Sequence, residues 1–184
     1  PLLSGQARRV EETLQSLSPH ETQIRKIPGL HLSPHYGVGK LQWLLSQQPD
    51  IFEACENRSL RMGPLASYLL HHLVEGGREL VDHANASRTL LWDLQTRDWS
   101  NRLLALFGIP RDVLPDCQPI CSAYGLTVTG SIPLMAVNGD QTAALYAQGK
   151  PSMDTIRVNI GTGAFVVMPV NYPAARPCGL IGGI

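Results

Sequence analysis

A chain of 184 residues, 43% hydrophobic, with 15 basic against 15 acidic side chains, carries apolar material for one domain, or one domain plus part of another. Zero formal net charge removes any general electrostatic pull toward nucleic acid or an anionic membrane. The longest apolar stretches, such as 63–74, are too short and too interrupted to span a bilayer.

Taken in chain order, residues 8–17 read as a polar amphipathic helix stopped by Ser18 and Pro19. Loops follow at Pro28-Gly29 and Ser33-Pro34. Residues 39–46 have apolar side chains at helical spacing (Leu41, Leu44, Leu45), with Trp43 read as a packing residue. Residues 63–74 form a second predicted helix with Pro64 in its first turn, where a missing N–H costs nothing. Residues 82–89 read as a polar loop and 90–94 as a short strand. A helix is predicted over 99–107, ended by Gly108 and Pro110, and an irregular connection over 115–130. The texture then changes: strand 132–137, alanine-rich helix 141–147, strand 156–160, a Gly161-Thr162-Gly163 turn, and strand 164–170. With aromatics at only 6%, the core is expected to be Leu, Ile, Val and Ala.

Cys55, Cys117, Cys121 and Cys178 are scattered. Only Cys117 and Cys121 lie close, in CQPIC, with no second pair at zinc-site spacing. Reduced thiols in a cytoplasmic protein are the expectation. His71 and His72 are adjacent, which points their rings to different helix faces, so no metal ligand is assigned.

The chemistry concentrates in VNGDQTAALYAQGKPSMDTIRVNIGTGAFV, residues 137–166. A strand ending in Asn138-Gly139-Asp140 and turning into a helix sets Asp140 at the lip of a sheet, where ligands of open α/β proteins sit. A carboxylate there can take a proton from a substrate hydroxyl, a contribution of about 10²–10⁴ in rate; alternatively, Asp140 simply caps the following helix. The Gly161-Thr162-Gly163 turn offers positive φ, close backbone approach and a hydroxyl donor, a set suited to phosphate. It equally suits an ordinary glycine hairpin.

GDQTAAL followed by NIGTGAF resembles the FGGY family of carbohydrate kinases. So do GLHLSPHYGVGKLQWLL (29–45), GPLASYLL (63–70), NASRTLLWDLQTRDW (85–99), LLALFGIPRDVLPD (103–116) and Tyr124-Gly125, in the same order. The resemblance implies an α/β fold of the actin-like ATPase (ribonuclease H-like) kind, present in part. Residues 1–147 would be the latter part of the sugar-binding domain, and 148–184 the first strands of the ATP-binding domain. It implies transfer of a phosphoryl group from ATP, with Mg²⁺, to a hydroxyl of a sugar or polyol. Asp140 matches the family's general base, and Gly161, Thr162 and Gly163 match its phosphate hairpin. Gln141, His35, Phe165 and Arg9 fall on the substrate side.

Two departures bear on substrate. GQARR places Gly5 where the family has Trp, and the family's substrate-contacting Tyr falls at His35, with Tyr36 next door. Both favour a substrate larger than glycerol, such as a ketose or longer polyol. Segments with which the family begins and ends have no counterpart here, so an inner piece, inactive alone, is expected. The partners expected are the sugar or polyol and MgATP, with room for a homodimer and no role for nucleic acid or membrane. The competing reading is a non-catalytic sugar-binding or regulatory protein of the same fold; another actin-fold ATPase is opposed by NASRT and GDQTAAL.

Overall fold

The computed structural model describes residues 14–15, 17–161, 163–171 and 180–184. Its organising pair of strands is parallel: β1 (Leu80–Asp82) runs beside β4 (Asp116–Gln118), with Leu80 opposite Asp116 and Asp82 opposite Gln118. Parallel strands need a crossover. Here residues 83–115 supply it, as helix α5 (His83–Ala86), the small antiparallel pair β2 (Trp92–Asp93) and β3 (Asp98–Trp99), and helix α6 (Asn101–Phe107). Ser100 caps α6 through its hydroxyl, which accepts the Leu103 N–H. Gly108 ends the helix in a left-handed conformation, φ 65°. The Trp99 indole donates to the Pro115 carbonyl at 2.7 Å, tying the hairpin to the strand that follows.

Ahead of this unit lie α1 (Glu21–Lys26), α2 (Gly37–Gln47), α3 (Pro49–Glu56) and α4 (Leu65–Leu73). Beyond it come β5 (Cys121–Leu126) paired with β6 (Pro133–Ala136), helix α7 (Asp140–Ala144), and the hairpin of β7 (Arg157–Ile160) and β8 (Ala164–Val167). The main core lies between α2, β1, β2 and α6, where Val38, Val81, Leu90, Leu91, Trp92, Leu103 and Val113 are sealed from solvent. A second cluster joins Leu70 of α4 and Val74 just after it to Leu80 and Tyr124. By contrast, the segment after residue 131 exposes apolar side chains, including Ile132 (64%), Ile160 (78%) and Val166 (69%).

Several expectations need correction. Residues 82–89 are only in part a loop: they hold the end of β1 and all of α5, followed by a turn over 87–89, and most of them are buried. The strand expected over 90–94 shrinks to Trp92–Asp93, because Leu90 takes φ 69° and breaks the extended run. The irregular 115–130 segment contains β4 and β5, and β5's partner β6 follows it. Helices α1 and α3 are not among the predicted elements. The core also uses its few aromatics, since Trp92 and Tyr124 are fully buried and Trp99 and Phe107 nearly so. The helix expected over 8–17 lies almost wholly outside the described residues.

Candidate active site

The site is built outward from the end of β1. All three residues of β1 are buried, and Asp82 at its C-terminal end has no exposed surface. Its carboxylate caps α5: one oxygen accepts the backbone N–H of Asn85 at 3.0 Å, and the other accepts the Asn85 side-chain amide at 2.6 Å. With its NH₂ spent on Asp82, the Asn85 amide turns its carbonyl oxygen the other way, toward Gly139. A Cβ placed at Gly139 would stand 4.0 Å from that oxygen. On the far side of the same segment, Thr89 accepts the Val38 N–H through its carbonyl at 3.0 Å and lies in van der Waals contact with Gly37. The stretch from Asp82 to Thr89 therefore borders both loops that carry predicted site residues, 33–38 and 138–140.

The first loop is fastened from below. Lys40, buried in the first turns of α2, donates its ammonium to the carbonyls of Pro34 (2.8 Å), His35 (2.8 Å) and Tyr36 (3.2 Å). Burial lowers its pKa, while the three carbonyl dipoles favour the charged form. His35 points to solvent and Tyr36 inward, their rings edge to face at 5.6 Å. The Tyr36 hydroxyl is pushed up by burial, offset in part by the nearby Arg88 guanidinium. Of the two adjacent rings, His35 is the one a ligand can reach.

Asp140 opens α7. The cap position itself is taken by Gly139, whose backbone is extended and which has no side chain to bond. The Asp140 carboxylate accepts only its neighbour's N–H, that of Gln141, at 2.7 Å, and is otherwise exposed. Capping therefore does not occupy it. Gln141 is half-buried behind it, and Thr142 donates to the carbonyl of Ile184 at 3.3 Å. Just before the turn, the buried Asn138 side-chain oxygen has no partner among the described residues.

In the second hairpin, the Gly161 N–H donates to the Gly163 carbonyl at 2.8 Å and closes the turn. Phe165 stands opposite Asn159 and is 48% exposed. Arg9 and Thr162 lie outside the described residues. The structure thus brings His35 and Asp140 to opposite borders of one segment. The hairpin's described hydrogen bonds tie it to its own strands and to residues 148–149, not to Asp140. Among the described residues no three His, Cys, Asp or Glu side chains converge on a metal position, so no Mg²⁺ ligand is assigned. The roles of Asp82, Asn85 and Lys40 were missed in the sequence; the Asp-x-x-Asn spacing, which fits a capped helix start, was the available signal.

The sequence model of the FGGY family of carbohydrate kinases, N-terminal domain, matches residues 1–146, and the chain belongs to that family. Its curated relatives include the glycerol kinases of Geobacter sp. (strain M21), 38% identical over 169 residues, and Citrifermentans bemidjiense, 38% identical over 178. These alignments cover 89% and 94% of this chain but only 34% and 35% of the relatives, so the chain spans about a third of their length. Among solved structures, Plasmodium falciparum glycerol kinase with ADP superposes with a TM-score of 0.84 at 27% identity, over 90% of this chain and 34% of the other. A Lactobacillus acidophilus xylulose kinase matches with a TM-score of 0.73 at 18% identity, over 89% and 35%, a likeness of fold. The fold is the α/β, actin-like ATPase fold of these kinases, present in part.

Proposed function

We propose that this chain is part of an ATP-dependent kinase that phosphorylates a hydroxyl of a sugar or polyol. Residues 1–147 belong to its sugar-binding domain and 148–184 open its ATP-binding domain. The observation that carries this reading is Asp140: an exposed carboxylate with one local hydrogen bond, poised at a helix start next to a rigid, buried segment.

In the proposed reaction a substrate hydroxyl oxygen attacks the γ-phosphorus of ATP. The new O–P bond forms as the bond to the β,γ-bridging oxygen breaks, ADP leaves with that electron pair, and the hydroxyl proton passes to Asp140. Phosphoryl transfer depends mainly on positioning and charge stabilisation, and the chain divides these tasks. Asp140 orients and deprotonates the hydroxyl, while Gln141, His35, Phe165 and Arg9 bind the carbon chain. The hairpin at Gly161, Thr162 and Gly163 holds the phosphates through close backbone approach and the Thr162 hydroxyl. Mg²⁺, when bound with ATP, supplies charge neutralisation. Glycerol, the substrate in the names of the relatives, is the first acceptor to test. The solvent-facing His35 and the small Gly5 favour a longer polyol or ketose. Among the described residues no helix is long and apolar enough to cross a membrane.

The test is ADP release by the full-length gene product with MgATP and glycerol, erythritol, ribitol, ribulose, xylulose or sedoheptulose, alongside Asp140→Asn. Turnover on one compound, lost by at least about 10²-fold in the variant, is the expected result. Sugar binding without turnover on any compound would overturn the kinase reading in favour of a binding protein.

A further inference from the structure

One cation beside this site has no assigned work. Residues 86–92 are buried without a break except at Arg88, which is exposed. The Arg88 N–H donates to the Asn85 carbonyl at 3.1 Å, continuing the turn of α5. Asn85 and Arg88, three residues apart, therefore share one side of it, the side on which Asn85 faces Gly139. Arg88 also lies close enough to Tyr36 to act on its hydroxyl. Its guanidinium runs along the backbone at Gly183, where a Cβ would stand 3.0 Å from Nη2. Among the described residues it makes no hydrogen bond and no ion pair. A buried segment thus projects a single unpaired cation between the His35–Tyr36 loop and the turn that carries Asp140.

We propose that Arg88 is a further catalytic residue, whose guanidinium binds the phosphoryl group as it arrives on the substrate hydroxyl and then holds the product phosphate. This rests on the kinase reading above. The chemistry favours it: a guanidinium presents five donors in a planar fork that matches phosphate oxygens two at a time. The Asp140 carboxylate and the Asn85 amide oxygen accept from hydroxyls and repel an anion, so an arriving phosphoryl group calls for a cation. The Asp82–Asn85 pair fixes the turn from which Arg88 projects, so the fork is placed before substrate arrives.

The experiment uses the full-length gene product and two readouts. Turnover is measured for the unmodified enzyme, Arg88→Ala and Arg88→Lys, and binding of inorganic phosphate and glycerol 3-phosphate is measured by calorimetry without ATP. Expected are a drop in kcat of about 10²–10³-fold in Arg88→Ala, weaker phosphate binding by at least tenfold, unchanged affinity for the unphosphorylated polyol, and partial recovery in Arg88→Lys. Circular dichroism confirms folding, with Arg88→Gln as the replacement should Arg88→Ala fail to fold. Unchanged phosphate affinity in the variants would overturn the proposal. If the unmodified protein turns over none of the panel, the kinase reading falls alone, and Arg88-dependent phosphate binding still decides the role of the guanidinium.

Discussion

Asp82→Ala is the perturbation that tests how the site is held. Asp82 is completely buried, and both of its oxygens accept hydrogen bonds from Asn85. Removing the helix cap costs about 0.5–2 kcal/mol, and removing the short charged bond to the amide costs about 1.5–3 kcal/mol. The expected loss is therefore about 2–5 kcal/mol, read as a shift in the urea midpoint at pH 7. Asp82→Asn behaves differently. Its oxygen can keep the Asn85 N–H, and its NH₂ can bond Asn85 if that amide flips. Stability then falls by only about 1 kcal/mol, but the group facing Gly139 changes from acceptor to donor. Polyol affinity or turnover of the full-length gene product should drop more in Asp82→Asn than its stability loss suggests. The opposing effect is the cost of burying an unpaired carboxylate. If Asp82→Ala leaves the urea midpoint unchanged or raises it, desolvation outweighs the two bonds, and the reasoning fails.

Further outcomes follow from other packed positions. Gly125 has φ 134°, and a Cβ there would stand 2.5 Å from a Val74 methyl, so Gly125→Ala should cost about 1–3 kcal/mol; trimming the obstacle with Val74→Ala should make the double variant less unstable than the sum of the singles. Burial, with Arg97 next, holds the His83 pKa below its usual value against Asp82 and Asp98. The unfolded chain then binds the proton first as pH falls, so the stability contributed by neutral His83 is full above about pH 6.5. It is lost on acidification, and a thermal melt series from pH 7.5 to 5 should flatten in His83→Gln. Burial, with Asp98 next, pushes the Cys117 thiol up to about 12, and burial also raises Cys55. Iodoacetamide at pH 8 should therefore label exposed Cys121 well before either, as read by peptide mass spectrometry. Equal labelling of Cys117 and Cys121 would contradict the packing around β4.

How much of this was legible in the sequence depended on how far each signal is local. Helices α2, α4 and α6 and the β7–β8 hairpin were readable because apolar spacing, Pro64, Gly108 and the glycine turn all act within a few residues. Strands β1, β4 and β5 were not. Leu80–Asp82 and Asp116–Gln118 are three residues each, and they become strands only because a 33-residue crossover brings them side by side. Residues 82–89 looked like a loop because Asp, His, Asn, Ser, Arg and Thr are polar. In the fold that polarity is spent locally: Asp82 accepts from Asn85, and the Ser87 and Thr89 hydroxyls donate to the Ala84 and Ala86 carbonyls. The ordered motifs carried the family, and the positions proposed from them, Asp140 and His35, border one segment of the fold. The parts of the site that hold these residues in place, Asp82, Asn85 and Lys40, depend on three-dimensional contacts that no spacing displays.

Lys40 has a consequence for how specificity can change. By gripping three consecutive carbonyls of the 34–36 loop, it gives that loop its shape through the main chain alone. The outward side chain at position 35 takes no part in the grip. A new residue there leaves the shape of the loop and the core intact, since backbone carbonyls are common to every amino acid, and under the proposed function it changes which hydroxyl pattern is recognised. Selection, or a directed library at this single position, can thus explore acceptor preference at little cost in foldedness.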